Sequence, residues 1–330
     1  MYQVQQVLVP LDFSSFSRSA LAFARQLGPH HEHEKGGQPV RLQLAHAVEA
    51  MPSYVRSLLF PYAALGEDDR EFEAEIVDSA LRELERYFDI DEPLRQRFIG
   101  EPIVEFGSTE PLIRRWRGRF DVDMIVAGAF GANGVYAAGP GSTSRRLAAT
   151  ATQPVALIRD HESMPEIDRI LVALELGSNA QRVIEVAVAL AIDLGAELEL
   201  LHVAKTPFEG DLKPVMQRHV EIEADQLKAA MRPQIEGLFN DIVETIKFPH
   251  SIQSQADELC AQRTLCFGEP AREIVGFAHD GGFDLIVIGS GQQDAGALGD
   301  VASSVMARAP SHMVVVPARQ RATPLNRWSD

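Results

Sequence analysis

The sequence contains only two cysteines in 330 residues, Cys260 and Cys266, which are too few to form a disulfide framework. We expect both thiols to be buried and to pack as small hydrophobic groups. The chain also has no uninterrupted apolar run of the roughly 20 residues that a transmembrane helix needs. Its N-terminal stretch, MYQVQQVLVPLD, has a strand pattern without the basic flank or cleavage site of a signal peptide. These absences predict a cytoplasmic protein without a membrane span.

Basic residues are scarce: 31 Lys and Arg stand against 47 Asp and Glu, which gives a formal net charge of −16. Affinity for a phosphate backbone comes from Lys and Arg, so this composition argues against general nucleic-acid binding. An acidic surface of this kind mainly favours solubility. One basic cluster exists, and we expect it to be the solvated face of a short helix: Arg114, Arg115, Arg117 and Arg119.

Catalytic signatures are missing as well. The sequence has no Gly-x-Ser-x-Gly elbow, no His-Glu-x-x-His helix and no Ser/His/Asp set with a supporting context. It also lacks the Gly-Lys-Ser/Thr of a Walker A loop and the Ser-Gly-Gly-x-Asp-Ser and His-x-Gly-His loops of adenylate-forming proteins. No residue is therefore predicted to be catalytic.

What the chain does have is an internal repeat. Five segments recur in the same order about 160 residues apart, which indicates a tandem duplication. We predict one domain at residues 1–161, a second at 166–320 and a tail at 321–330. The matching pairs are QQVLVPLD with DRILVALE, VRLQLAHAVEA with AELELLHVAKT, VEFGSTEPLIRRW with LCFGEPAREIVGF, FDVDMIVAGAFG with FDLIVIGSG, and QPVALIRD with SHMVVVPA.

Each copy alternates short apolar strands with helical patterns, which predicts an α/β fold with a parallel sheet covered on both faces. Ligands of such sheets bind at the carboxyl ends of the strands. A long helix follows the second strand of each half. In the first half its apolar stripe is predicted to pack in the core, whereas Pro233 should kink or divide the longer helix of the second half. The stripe consists of Phe72, Ile76, Ala80, Leu84 and Phe88.

Two further segments have compositions that suit a ligand. HHEHE (residues 30–34) offers metal donors, but a dedicated zinc site needs fixed geometry, so we expect only adventitious binding in a surface loop. The apolar stretch MPSYVRSLLFPYAALG (residues 51–66) has no counterpart in the repeat. It suits a lid over a site, an apolar patch for a partner or acyl chain, or packing against the other half, with packing slightly favoured.

The stretch GAFGANGVYAAGPGST, residues 128–143, lies between a predicted strand and a predicted helix. Glycines allow a ligand to approach the backbone closely, and Ser142 or Thr143 should cap the helix that follows. Free N–H groups and the helix dipole at that point favour a phosphate. Taken alone, the stretch fits a flexible surface loop equally well.

The spacing Gly-x2-Gly-x9-Gly-Ser/Thr resembles the ATP-binding signature of universal stress proteins. VLVPLD and ILVALE resemble that family's first strand, and LAHAV and LLHVA its second. The resemblance covers nearly the whole chain twice, as in a tandem, E-type member. It implies two flavodoxin-like, three-layer α/β/α domains, each with a five-stranded parallel sheet, related by a pseudo-two-fold axis. It also implies pairing of the last strands, PVALIRD and MVVVP, within one chain or in further self-association.

The resemblance further implies a ligand, ATP or AMP, with or without magnesium, in the first domain. Asp12 would accept a hydrogen bond from the nucleotide or help to place a metal ion, and an acidic cap on the first helix is the equally favoured alternative. Ala47 would contact the adenine, Pro10 and Leu11 the adenosine, and the glycine stretch the ribose and phosphates. The matching positions are Pro10, Leu11, Asp12, Ala47, Ala127, Gly128, Ala129, Gly131, Gly141, Ser142 and Thr143.

The second copy of the signature departs from the pattern. Gln292 replaces the second glycine, the spacer is three residues shorter, and Asp300 follows Gly299. Glu175 replaces the aspartate of strand one. A carboxylate repels an approaching phosphate, so the second domain is predicted not to bind ATP in this manner and to be structural or to hold another ligand. Tyr136, in the first spacer, could fold over the first site.

The resulting expectation is a cytoplasmic, ATP-binding stress-response regulator. Because no general base is evident, any hydrolysis should be slow, with the loop amides stabilising phosphate charge. The alternative is a scaffold without nucleotide function, or a protein that binds a small apolar ligand.

Overall fold

A computed structural model describes residues 2–28, 40–49, 67–131, 140–159, 166–205, 224–291 and 297–318. The expectations for HHEHE, for residues 51–66, for Tyr136, for Gln292 and for the tail fall outside these ranges. Below, the first half is the part of the chain before residue 162, and the second half is the part after residue 165.

The strands of the described ranges form one ten-stranded sheet in the order β3-β2-β1-β4-β5-β10-β9-β6-β7-β8. Neighbouring strands are parallel except β5 and β10, which pair antiparallel where the halves meet, with Val314 opposite Ala156. The predicted pairing of the last strands within one chain is therefore present. The strands are β1 (Gln6–Leu11), β2 (Arg41–Val48), β3 (Ile103–Phe106), β4 (Met124–Gly128), β5 (Val155–Ile158), β6 (Arg169–Leu174), β7 (Glu197–Ala204), β8 (Arg263–Phe267), β9 (Leu285–Gly289) and β10 (His312–Val316).

Helices cover both faces of the sheet, which confirms the predicted three-layer α/β/α class. One face carries α1, α2, α3, α6, α7 and α8, and the other carries α4, α5, α9 and α10. The helices are α1 (Ser15–Gln26), α2 (Glu67–Tyr87), α3 (Glu92–Arg95), α4 (Thr109–Arg119), α5 (Ser142–Thr150), α6 (Ala180–Leu194), α7 (Ala224–Thr245), α8 (Gln253–Leu259), α9 (Pro270–Asp280) and α10 (Asp300–Arg308).

The hydrophobic core consists of two layers, one on each face, and each layer runs through both halves. Alternation along the strands supplies both layers, since Val7 and Val9 of β1 point to one and Leu8 to the other. The central strands carry apolar side chains on both faces of the sheet, so their sequences are continuous hydrophobic runs, as predicted. The two halves of the ten-stranded sheet are therefore joined by shared core packing as well as by the pairing of β5 with β10.

The long helices follow the predicted pattern in part. Leu84 and Phe88 are buried, and Ile76 and Ala80 are half-buried; Phe72 lies outside the part of the chain whose side chains are described. Pro233 lies inside a single helix, α7, so of the two predicted effects, a kink or a division of this helix, the division does not occur and the kink stays a prediction. A proline removes one backbone hydrogen bond, and the buried residues Phe239 and Val243 hold the following turns against the core.

The thiols and the basic cluster also match their simpler interpretations. Cys260 is buried at the end of α8, Cys266 is half-buried on β8, and both are free. The guanidinium groups of the basic cluster lie on α4, where Arg114 donates to Glu110 at 2.8 Å and Arg115 pairs with Glu105. No helix among the described residues is long and apolar enough to cross a membrane.

Candidate functional site at the carboxyl edge of the sheet

The predicted site residues meet at one edge of the sheet. Parallel pairing places Pro10 beside Ala45 and Leu11 beside His46, so the carboxyl ends of β1 and β2 lie next to each other. Ala47 is half-buried on β2 opposite Glu105 of β3. On the other side of β1, strand β4 contributes Ala127 and Gly128 and leads into the glycine stretch. This edge is where parallel α/β sheets bind ligands.

The carboxylate of Asp12 is tied to the start of α1 through one oxygen. Its Oδ1 accepts hydrogen bonds from Ser14 N at 3.2 Å, from Ser14 Oγ at 2.5 Å and from Ser17 Oγ. The helix cap itself is Ser14, whose hydroxyl accepts from Ser17 N at 3.1 Å. Asp12 is therefore not the N-cap, although it holds the cap in place. Its Oδ2 faces the glycine stretch, 3.1 Å from the position that a Cβ would take at Gly131.

The two ends of the glycine stretch cross each other. Gly141 N donates to Ala129 O at 2.9 Å, and a Cβ on Gly141 would lie 3.8 Å from Gly131 N. Gly131 and Gly141 thus bring bare backbone together beside Asp12. Gly128 has a different task, because a Cβ there would lie 2.8 Å from Phe16 Cβ. It allows α1 to pack directly on β4.

Helix α5 starts without a side-chain cap. Its N-cap is Gly141, whose carbonyl accepts from Arg145 N at 3.0 Å and which has no side chain to accept from the amides of the first turn. The expectation that Ser142 or Thr143 caps the helix is therefore wrong: they are its first two helical residues, and both are exposed. The first turn also has no acidic residue, so the positive end of the helix dipole is free to attract an anion.

Phe130 was not predicted as a site residue. Its side chain is 2% exposed, and its ring centroid lies 5.0 Å from that of Phe16. The guanidinium of Arg159 lies over the ring at 5.6 Å and donates to Met306 O of α10. The glycine stretch of the first half is thereby linked to a helix of the second half. An apolar residue between two glycines is the one sequence signal of this buried contact.

Two histidines at matching positions of the two halves, His46 and His202, were also not predicted as site residues. His46 Nδ1 lies 2.7 Å from Leu11 O, and His202 Nδ1 lies 2.8 Å from Leu174 O. A carbonyl oxygen can only accept, so Nδ1 carries the proton in both rings and Nε2 of the neutral ring is an acceptor. Burial lowers the pKa of His202, which favours its neutral form. The repeat LAHAV/LLHVA contained this signal.

The second half builds a similar crossing with different chemistry. Gly299 N donates to Ser290 O at 2.8 Å, and a Cβ on Gly299 would lie 3.2 Å from Gly291 Cα. Gly291 has a φ of +83°, a conformation that favours glycine. Helix α10 then begins at Asp300, so a carboxylate stands in the first turn, where the first half has Ser142.

A cavity of about 450 Å³ lies at this second edge, although the sequence pointed to the first. Its walls are mostly apolar and come from β6, β7, β9, α6, α9 and α10. Among the described residues, no cluster of His, Cys, Asp and Glu has the geometry of a metal site. The lining combines apolar, charged and glycine residues, among them Ala173, Glu175, Leu201, His202, Lys205, Ile274, Ile288, Gly291, Gly299 and Asp300.

The fold defines a tandem α/β protein, because each half has parallel strands, a helical layer on both faces and a glycine crossing. In each half the crossing lies at the carboxyl edge of the strands, where sheets of this kind bind ligands. The model of the universal stress protein family matches residues 3–159 and 166–317, so the chain belongs to that family. The resemblance predicted from the sequence is thus confirmed.

Solved structures agree with this fold. A universal stress protein from Archaeoglobus fulgidus DSM 4304 is 18% identical and has a TM-score of 0.58, with 96% of this chain and 99% of that chain covered. A protein from Pseudomonas aeruginosa UCBPP-PA14, described as a universal stress protein, is 14% identical with a TM-score of 0.58, covering 95% and 93%. At these identities the likeness shows the fold alone. None of the curated proteins compared with the chain matches it.

Proposed function

We propose that the protein is a cytoplasmic stress-response regulator that binds ATP through its first half. The observation that carries this proposal is the start of α5, which has no side-chain cap and no acidic residue in its first turn and lies beside the crossing of Gly131 and Gly141. A phosphate needs donors and close approach to the backbone, and this arrangement supplies both. The residues present therefore fit the nucleotide.

Each residue has a proposed task. The amides of Ser142 and Thr143 would donate to phosphate oxygens, and Asp12 Oδ2 would accept from a ribose or adenine hydrogen. Pro10, Leu11 and Ala47 would line the nucleoside. ATP would supply a phosphoryl group able to react with water, but the sequence carries none of the catalytic signatures sought for activating that water. We therefore expect hydrolysis, with or without magnesium, to be slow or absent.

The first experiment is to denature freshly purified protein and measure the released small molecules by mass spectrometry. We expect about one ATP or AMP per chain, because only the first half is proposed to hold a nucleotide. The paired substitution Gly131→Val and Gly141→Val should abolish this signal and the stabilisation of the protein by ATP and magnesium. Neither glycine has a positive φ, so the backbone allows a side chain at both positions, and a Cβ at Gly131, 3.1 Å from Asp12 Oδ2, requires that flexible carboxylate to shift.

The matched control is Gly118→Val on α4, where an added Cβ would have no neighbour within 4 Å. This variant should retain the nucleotide. If the double variant folds and still binds ATP like the wild type, the proposal is wrong.

One observation favours a second candidate function. The cavity of the second half is walled mainly by apolar side chains such as Leu201, Ile274 and Ile288. Such a cavity could hold a small apolar ligand, which fits the alternative function of a scaffold or a ligand-binding protein without a nucleotide. Absence of a nucleotide from the purified protein, together with no thermal shift on adding ATP and magnesium, would support this alternative.

A further inference from the structure

We propose that the cavity at the carboxyl edge of the second half binds a small organic amine, a ligand with an apolar body, a cationic head and no phosphate. This inference is independent of the nucleotide proposed for the first half, since the two edges lie in different halves of the sheet. It assigns a ligand class to a site that the departures from the family signature leave without one.

The body of the ligand follows from the walls. The cavity has about 450 Å³, which is within the range of roughly 300–1,000 Å³ typical of small-molecule sites. Ala173, Leu201 and Ile288 come from three neighbouring strands and are all buried, so they form a fixed apolar floor. Such a floor favours an aromatic or aliphatic body over a polar one.

The head of the ligand follows from the charges. Glu175 and Asp300 both line the cavity and both are exposed to it or to solvent, so their carboxylates can reach a ligand. Lys205 is the single ammonium among the described lining residues, and burial lowers the pKa of His202, which favours its uncharged form. Among the described lining residues, two carboxylates therefore stand against one ammonium, a balance that attracts a cation and repels an anion.

The position of Asp300 disfavours a phosphate. It stands in the first turn of α10, where the helix dipole would otherwise favour an anion, and its carboxylate repels a second negative group. The corresponding residue of the first half is Ser142, and no acidic side chain stands in the first turn of α5. The two halves thus share a backbone crossing and differ in the charge of the ligand that they favour.

The crossing itself is built for close approach. A Cβ on Gly291 would lie 3.0 Å from Gly299 Cα, and Gly291 has the positive φ that other residues rarely adopt. Both glycines line the cavity. A side chain at either glycine would push Gly291 and Gly299 apart, so the shape of the cavity where they line it depends on this pair.

The test uses two probes that share an indole ring and differ in charge, tryptamine and indole-3-acetate. Both are titrated calorimetrically into the full-length protein at neutral pH and low salt. We expect tryptamine to bind about tenfold more tightly than indole-3-acetate, a difference of about 1.4 kcal/mol, because the described lining residues attract the ammonium and repel the carboxylate. No detectable binding of tryptamine at millimolar concentration, or equal affinity for the two probes, would overturn the proposal.

Two variants locate the site. Asp300→Ser installs the residue of the first half, and Glu175→Gln removes the charge while keeping the length of the side chain. Each should reduce the preference for tryptamine about three- to tenfold, and Asp300→Ser should improve binding of inorganic phosphate. The control Glu258→Gln changes an exposed carboxylate on α8 outside the cavity and should leave the preference intact. All three positions are exposed, so the fold should survive.

The same titration separates this proposal from the proposed function. If tryptamine binding is lost in the Gly131→Val and Gly141→Val protein but unchanged in Glu175→Gln and Asp300→Ser, the amine binds in the first half and the inference fails. If the protein carries no nucleotide while both second-half variants lose the preference for tryptamine, the inference stands and the proposed ATP function fails.

Discussion

The carboxylate of Asp12 divides its two oxygens between the fold and the edge of the sheet. Oδ1 accepts from Ser14 and Ser17 and so fixes the start of α1, while Oδ2 faces Gly131. The sequence left a choice between a helix role and a ligand role for this residue. At the level of atoms the two roles are compatible, because they use different oxygens of one side chain.

Gly128 provides a sharper test at the residue scale. A Cβ at this position would lie 2.8 Å from Phe16 Cβ and 3.0 Å from the Phe16 carbonyl carbon. Since one of these atoms belongs to the backbone, α1 would have to move away from β4. We expect Gly128→Ala to lower the free energy of unfolding by about 1–3 kcal/mol. Urea unfolding followed by circular dichroism measures this change.

The control for this prediction is Gly118→Ala, a glycine on α4 with no neighbour near its Cβ position. Alanine is the better helix former, so the control should be stabilised by about 0.5–1 kcal/mol. A wild-type urea midpoint for Gly128→Ala would show that the packing of α1 on β4 tolerates a methyl group.

These residues also show what sequence spacing can predict. The three glycines and the following Ser142 were identified from their spacing, and the structure brings them to one edge. The spacing could not separate Gly128, which serves packing, from Gly131 and Gly141, which serve the crossing, because that difference depends on Phe16. Nor could it show that Gly141 takes the N-cap position, since Ser142 is a favourable cap residue by composition.

At the scale of elements, α1 and α6 join the halves on one face of the sheet. Asp193 of α6 has a carboxylate that accepts a hydrogen bond from the backbone of Gly28, just after α1. Burial raises the pKa of Asp193 from 3.8 to about 6, and the bond from Gly28 offsets only part of this effect. The helix contact therefore holds an acid whose charged form burial penalises, so that it keeps its proton to a higher pH than an exposed aspartate does.

The sign of the resulting pH dependence follows from this shift. Protonated Asp193 stabilises the folded state fully below about pH 4, and this stabilisation is lost as the pH rises through about 6. Asp193→Asn keeps an acceptor for Gly28 and removes the charge. We expect the variant to be more stable than the wild type by about 1–2 kcal/mol at pH 8, with the difference vanishing near pH 4.

Chemical denaturation at a series of pH values measures this difference. Glu258→Gln, an exposed carboxylate on α8, is the control and should show no such dependence. A variant less stable than the wild type at pH 8 would mean that the hydrogen bond to the charged carboxylate outweighs its burial.

Helices and strands were predicted well where the period of their hydrophobic residues was clear. The alternation of apolar strands with helices in two copies gave the parallel sheets and their order of appearance, because buried strands and amphipathic helices have distinct periods. Pro233 shows the limit of local rules, since α7 continues through it. Tertiary packing of Phe239 and Val243 outweighs one missing hydrogen bond, and a local pattern does not contain that packing.

At the scale of the whole molecule, the two halves share more than the antiparallel joint of β5 and β10. The buried Arg159 follows β5 and donates to Met306 O of α10, and Tyr2 lies 5.9 Å from the guanidinium of Arg182 on α6. Both core layers also contain residues of both halves. The duplication was predictable from the repeat and the joint from the resemblance to the family. The cavity of the second half was not predictable, because it depends on the three-dimensional arrangement of several apolar residues.

This sharing predicts that the halves unfold together, and each half offers its own probe. Trp116 is fully buried in the first half and reports by fluorescence once Trp328 is replaced by Phe. Cys260 is buried in the second half, where burial raises the pKa of its thiol to about 11, so it should react with a thiol reagent only after opening. Cys266→Ala removes the other thiol.

In urea, the fluorescence of Trp116 and the pulse-labelled accessibility of Cys260 should change with one common midpoint, because separating the halves would expose apolar surface in both core layers. Arg159→Met, which breaks the contact with Met306 O, should lower both midpoints together, by about 1–3 kcal/mol in free energy of unfolding. Two separate midpoints in the wild type would mean that the family's repeated unit keeps its independence even within one continuous sheet. A common midpoint would mean that duplication has turned two units into one cooperative fold, in which a ligand at either edge stabilises the whole chain.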